Sequence, residues 1–216
     1  MPETASNSAA TRKETNRTRV IRQALACFVE RGIEATRVSD VAALAGLTER
    51  SAFRYFETKA DLVLETALLF WQEAMAHGRT AEGLHETEAL CGAAQIFPVL
   101  QGYAELYFTH RQELIFVHEA EAYLYRHGKA LLMRSRPPAP FEACQGPLSR
   151  AIHRGMADGS VRTDVNLAHL YDSTYDALLG LIQKMAIGER QPADAQEDRA
   201  RLNAFCRLLA DAYCSG

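Results

Sequence analysis

Apolar residues recur three and four positions apart along most of this chain, and runs of strict alternation are nearly absent. Positions spaced that way share one face of a helix, whereas a half-buried strand needs a period of two. The pattern confines the chain to helix packed on helix. It is plainest from Thr18 to Arg31, where Ile21, Ala24, Leu25, Phe28 and Val29 make one stripe and Gly32 is placed to end the helix.

Two short helical segments follow. Ser39 is a candidate N-cap for a helix to about Ala45, with Val41, Ala42 and Leu44 as its apolar contacts. Gly46 allows the positive φ that a tight turn requires. Thr48 can then cap a helix to about Tyr55. Small residues at Ala42 and Ala45 let the two helices approach closely, giving the shape of a helix-turn-helix. The second segment presents Thr48, Glu49, Arg50, Ser51 and Arg54 outward. Arginine on such a helix makes bidentate bonds to guanine O6 and N7 in the major groove. Phe53 and Tyr55 can lie against sugar-phosphate or thymine methyls, and the Tyr55 hydroxyl can reach a phosphate. Thr58 and Asp61 resemble a capping box that opens a long helix to about His77, closed by Gly78. Lys59 in its first turn, beside free backbone N–H groups, is expected on a phosphate.

Further helices are predicted over about 86–110, with Pro98 kinking or splitting it, and over about 111–126. Pro137, Pro138 and Pro140 interrupt the chain. A helix resumes near Phe141 and runs to Ala157, and Asp158-Gly159 marks a turn. Asp164 is a candidate cap for a helix to about Ile187, and the last helix covers about 195–213. The fold class is therefore all-α. A basic, unstructured tail over 1–14 precedes a helix-turn-helix domain over 15–60 and a larger helical domain over 61–216.

Charge separates the same two parts. Residues 1–60 hold ten Lys and Arg against seven Asp and Glu, while the rest holds fourteen against twenty. A basic module on an acidic protein suits a polyanionic partner. No stretch approaches a membrane span, and the polar N-terminus is no secretory signal, so a cytoplasmic protein is expected. The five cysteines have wide spacings and no CxxC pair, as for reduced thiols, and Cys27 reads as a buried, inert one. His118 with Glu121, or with Glu119 and His127, is the nearest approach to a metal set. No HExxH or CxxC supports it, so neither metal nor cofactor is expected. No Ser-His-Asp order, P-loop or GxGxxG points to an enzyme.

The run RGIEATRVSDVAALAGLTERSAFRYFETKADLV, residues 31–63, resembles the N-terminal domain of the TetR/AcrR regulators. The matching features are Gly32, Ala35-Thr36, Val38, Val41-Ala42, Ala45-Gly46-Leu47, Phe53-Arg54-Tyr55-Phe56, Lys59 and Leu62. With the first helix the likeness spans about 45 residues. Arg50 stands where many members have Gly, and Phe53 where tyrosine is common. The resemblance implies that residues 48–54 enter the major groove of operator DNA and that Thr36, Tyr55 and Lys59 meet the backbone. It places Leu25, Phe28 and Phe56 in the small domain's core. Arg12, Lys13 and Arg17 either reach an adjacent groove or form a solvated arm.

It also implies a homodimer and a small-molecule effector. The dimer interface is expected from Tyr171, Leu178, Ile182, Leu202, Phe205 and Leu209. The effector site is expected among Leu69, Phe70, Trp71, Phe97, Gln101, Tyr103, Tyr107, Phe116, His118, Tyr123 and Tyr175, an aromatic mixture suited to an apolar or aromatic ligand. The expected function is a ligand-released repressor on a palindromic operator. An activator and a ligand-independent architectural binder are the alternatives.

Overall fold

The computed structural model describes residues 3–77, 90–129, 146–188 and 194–214, with side chains from Lys13 onward and those of 75–77 excepted. The expected C-cap at Gly78, the prolines at 137, 138 and 140 and the helix start at Phe141 lie outside these residues. In chain order the helices are α1 (Glu3–Arg31), α2 (Val38–Leu44), α3 (Glu49–Ala52), α4 (Lys59–His77), α5 (Gly92–Ala104), α6 (Leu106–Thr109), α7 (Arg111–Arg126), α8 (Pro147–Asp158), α9 (Leu167–Ile187) and α10 (Ala195–Asp211). The chain is all-α, and its strand-like pairing among the described residues is an isolated antiparallel bridge between Val161 and Cys214. It divides into two compact units, Met1–Trp71 with Ile115–Ser135, and Gln72–Leu114 with Arg136–Gly216. The boundary read from the sequence, at residue 60, falls inside the first.

In the first unit α1 buries Val20, Ile21, Ala24, Cys27 and Phe28. Leu25 and Val29 stay partly exposed, so the buried stripe is turned toward Val20 and Cys27 relative to the sequence reading. The reason is a partner from far along the chain: the Phe28 ring stacks on Phe116 of α7, centroids 5.6 Å apart. Leu62 and Val63 of α4 complete this core with Phe56, Val117 and Leu124. Burying a side chain of this size contributes about 1.5–3 kcal/mol. Helical backbone begins at Glu3, across the stretch expected as an unstructured tail.

In the second unit α5 and α8 cross at two glycines. A Cβ on Gly92 would lie 2.0 Å from the Gly155 nitrogen, so only glycine permits this approach. The crossing is tied by Asp158, whose carboxylate accepts the Gly92 N–H at 2.7 Å. Pro98 sits inside α5 without ending it, and the break comes at Glu105 instead. The N-cap of α9 is Asn166, accepting the His169 N–H at 3.0 Å. The expected cap, Asp164, is taken instead by the Arg162 guanidinium through two bonds of 2.7 and 2.6 Å. Arg111 at the start of α7 donates to the carbonyls of Ala186 and Gly188, closing the C-terminal end of α9.

Candidate nucleic-acid interface

The helix-turn-helix is built by its caps. α2 starts one residue earlier than predicted, at Val38, with Arg37 as a cap that makes no side-chain bond; Ser39 lies within the first turn. Gly46 takes φ +66°, and the amides of Gly46 and Leu47 return to the carbonyls of Ala43 and Ala42 at 2.9 Å. That is the paired arrangement which closes a helix on a left-handed residue. Thr48 then caps α3, its hydroxyl accepting the Ser51 N–H at 3.2 Å. α3 is regular only over Glu49–Ala52, and turns carry the chain through Tyr55. The capping box at Thr58 and Asp61 is present in both directions: the Thr58 N–H reaches the Asp61 carboxylate at 2.9 Å, and the Asp61 N–H reaches the Thr58 hydroxyl at 3.2 Å.

Burial divides the residues of and after α3 into two sets. Ala52 and Phe56 turn inward, and Tyr55 is half-buried with its ring edge to Phe56. Thr48, Glu49, Arg50, Phe53 and Arg54 face out, and Ser51 is half-buried, its hydroxyl accepting from Thr48. Neither Arg50 nor Arg54 has a hydrogen-bond or ion-pair partner among the described residues. Three other cations of this unit are engaged: Arg17 with Glu65 at 2.7 Å, Lys129 with Asp61 at 2.7 Å, and Arg126 with Glu34 at 3.3 Å. Two unpaired guanidiniums a turn apart leave their donors free for an external acceptor.

Two expected backbone contacts look inward. Thr36 is 1% exposed, and its hydroxyl lies 2.8 Å from the Gly32 carbonyl and 3.2 Å from that of Cys27. The Lys59 ammonium donates to the Glu34 carbonyl at 3.3 Å and lies 5.9 Å over the Tyr123 ring. Burial lowers its pKa, against the opposing pull of Glu34 and Glu119. The basic residue that sequence reasoning missed is Arg37, exposed and without a partner among the described residues. The signal available was a cation at the start of the first helix of the pair. Leu44, expected as an apolar contact, is 56% exposed. Cys27 is buried, which raises its thiol pKa.

The predicted effector residues separate between the two units. Leu69, Phe70, Trp71, Phe116, His118 and Tyr123 belong to the first. There Phe116 is committed to Phe28, Phe70 packs on Trp71, Tyr123 stacks on His127, Leu69 is half-buried, and His118 is exposed. Phe97, Gln101, Tyr103, Tyr107 and Tyr175 belong to the second. The Tyr175 hydroxyl donates to that of Tyr103 at 3.0 Å, and the Tyr107 hydroxyl donates to Asp198 at 2.6 Å. Burial first, then the neighbouring phenols Tyr103 and Tyr171, push the Tyr175 pKa far up. Gln101 donates to Asn203 at 2.9 Å, and the Arg207 guanidinium sits 3.7 Å over the Phe97 ring.

The residues expected at a dimer interface lie on α9 and α10. Tyr171, Leu178, Ile182 and Leu202 are essentially inaccessible within the single chain, and Phe205 and Leu209 are half-buried. Much of the apolar face of each helix is covered within its own unit. The exposed residues include Ser173, Gly180 and Ile187 on α9, and Ala200, Ala204 and Leu208 on α10.

A capped helix-turn-helix with an outward, unpaired cationic face on an otherwise helical chain defines the class of DNA-binding transcriptional regulators. Residues 20–66 match the model of the bacterial regulatory proteins of the tetR family. A probable HTH-type transcriptional regulator of Pseudomonas putida, ArpR, is 29% identical over 180 residues, covering 79% of this chain and 82% of that protein. Residues 20–66 therefore carry the DNA-binding domain of the tetR family, and the similarity to the Pseudomonas putida regulator extends over most of the chain. Its fold is also that of a putative TetR-family regulator from Mesorhizobium loti (TM-score 0.64, 16% identity, 94% of this chain and 99% of that one). A tetR-family regulatory protein from Rhodococcus RHA1 is similar (TM-score 0.60, 13% identity, 93% of this chain and 98% of that one). Among the described residues no helix is long and apolar enough to cross a membrane.

Proposed function

We propose that this protein is a dimeric repressor that binds a palindromic operator and is released by a small apolar or aromatic molecule. The observation that carries the reading is the pair of unpaired arginines, Arg50 and Arg54, facing out from α3 and the turn after it. Guanidiniums without internal partners cost little to redirect, and each can hold guanine O6 and N7 together. Glu49 and Phe53 belong to the same face. Arg37 and Tyr55 are assigned to the phosphate backbone, with Lys59 joining them once it leaves the Glu34 carbonyl.

Two half-sites about one helical turn apart require two-fold symmetry in the protein. The small and apolar residues left outside on α9 and α10, Gly180, Ala204 and Leu208 among them, are the faces available for it. Effector control is a population shift between a state with the recognition helices at operator spacing and one without. α4 carries Lys59 in the first unit and continues to His77 in the second, so its tilt is the lever.

Selection from random duplex DNA tests this, run in parallel with Arg50→Ala. The native protein is expected to recover a palindrome, and the variant to relax it at one position per half-site. Enrichment of no sequence at low salt, where phosphate contacts are strongest, would refute the sequence-specific reading in favour of an architectural role.

A further inference from the structure

We infer that Phe53 reads a thymine through the 5-methyl group of that base, beside the guanine contacts of Arg50 and Arg54. The inference rests on the operator-binding reading above and deepens it by assigning a second base type to the half-site.

Phe53 is 42% exposed, although a phenyl ring is among the more costly groups to leave in water. The local packing explains its direction. The inward side of this turn is already filled by Ala52 and Phe56, both buried. Phe53 keeps helical dihedrals, φ −65° and ψ −12°, so it continues the helix of α3 rather than leaving it. It therefore stands one turn beyond Glu49 and three residues beyond Arg50, on the face that holds both. No ring or cation contact to Phe53 occurs among the described residues, so no such contact has to be broken for its exposed part to meet a ligand.

The ring has neither donor nor acceptor. It cannot bond a phosphate oxygen, as a tyrosine at this position could, nor any polar atom of a base edge. In the major groove the base edges offer one apolar substituent, the C5 methyl of thymine. Burying it against an exposed phenyl removes two apolar surfaces from water at once. Leu44 is more exposed still, at 56%, but lies on α2, outside the outward face of α3. It serves as an internal control.

The test uses the full chain and the duplex recovered by selection, with each thymine of one half-site replaced in turn by deoxyuridine, which lacks only the methyl. The native protein is expected to lose about fourfold in affinity at one position, the value of one buried methyl-sized group. Phe53→Ala should bind the thymine and deoxyuridine duplexes equally, Phe53→Leu should keep part of the preference, and Leu44→Ala should keep all of it. A half-site without thymine would overturn the assignment. So would a native protein indifferent to every replacement, or a Phe53→Ala variant with the full methyl preference. If the native protein enriches no sequence at all, the operator-binding reading itself has failed, an outcome distinct from these.

Discussion

The Glu119 carboxylate of α7 accepts the backbone N–H of Ile33 at 2.9 Å, across 86 positions of sequence. Ile33 is fully buried just after α1, so this N–H has no water to turn to. Around it Arg126 pairs with Glu34 and Lys129 with Asp61, so the end of α7 and the residues after it are built into the helix-turn-helix unit. Glu119→Ala leaves a buried donor without an acceptor and should destabilise the protein by about 1–3 kcal/mol. Glu119→Gln keeps an acceptor oxygen and should lose less than half of that. Urea unfolding of the two variants side by side decides it; equal losses would mean that the carbonyl-type acceptor is not what matters.

Asp61 links that cluster to acid stability. Burial works to raise its pKa, but hydrogen bonds from the Lys129 ammonium and from the Thr58 hydroxyl and amide outweigh it, leaving the carboxyl below its usual value. A group whose folded pKa lies below its unfolded one binds protons more readily when unfolded. Its stabilisation is present above about pH 4 and fades as pH falls through the folded value. Asp61→Asn should therefore lower stability at pH 7 and flatten the decline below about pH 4. A native-like acid dependence in the variant would show that other carboxylates govern it.

Arg37 and Arg50 should separate by their response to salt and sequence. Arg37→Ala is expected to weaken binding to all duplexes alike and to reduce the slope of log affinity against log salt by about 1. Arg50→Ala should cost about 1–3 kcal/mol on the selected site and little on an unrelated one. Titrations at several salt concentrations on both duplexes distinguish the two roles, and a sequence-dependent loss for Arg37→Ala would move it from phosphate to base.

The glycine crossing of α5 and α8 leaves no room for a methyl group. Gly92→Ala would put a Cβ against the Gly155 backbone and within 2.5 Å of the Ala151 carbonyl oxygen, so the helices must part. Overpacking of this kind costs about 1–3 kcal/mol or more. Thermal unfolding should show a midpoint lowered by several degrees, and an unchanged midpoint would mean that the crossing is looser than its geometry.

Leu178 and Leu208 are both leucines on the helices expected to form the dimer, with opposite fates. Leu178 is buried in its own unit and Leu208 is 65% exposed. Leu178→Ala should cost about 2–5 kcal/mol of stability. Leu208→Glu should leave the fold intact and shift sedimentation toward monomer. A Leu208→Glu protein that sediments as the native one would remove α10 from the interface.

Much of this protein was legible in its sequence. Periodicity near 3.6 determined that the chain is helical. The turn at Gly46, the Thr48 cap and the Thr58–Asp61 box determined where the helix-turn-helix lies, because caps and positive-φ turns are local and depend on a few neighbouring residues. Of the residues read as outward, Thr48, Glu49, Arg50 and Arg54 are exposed and Ser51 is half-buried. Tertiary structure alone decided which apolar faces are spent. Phe116 had to meet Phe28, and Glu119 the Ile33 amide, before α7 could join the first unit. The apolar stripe of α9 had to pack inside its own unit before Leu178 could be buried there. Thr36 and Lys59 turned inward for acceptors that only the folded chain supplies, at Gly32 and Glu34. Periodicity states that a face is apolar, but not which surface will cover it. That choice depends on contacts between residues far apart in sequence, and these exist only once the chain has folded.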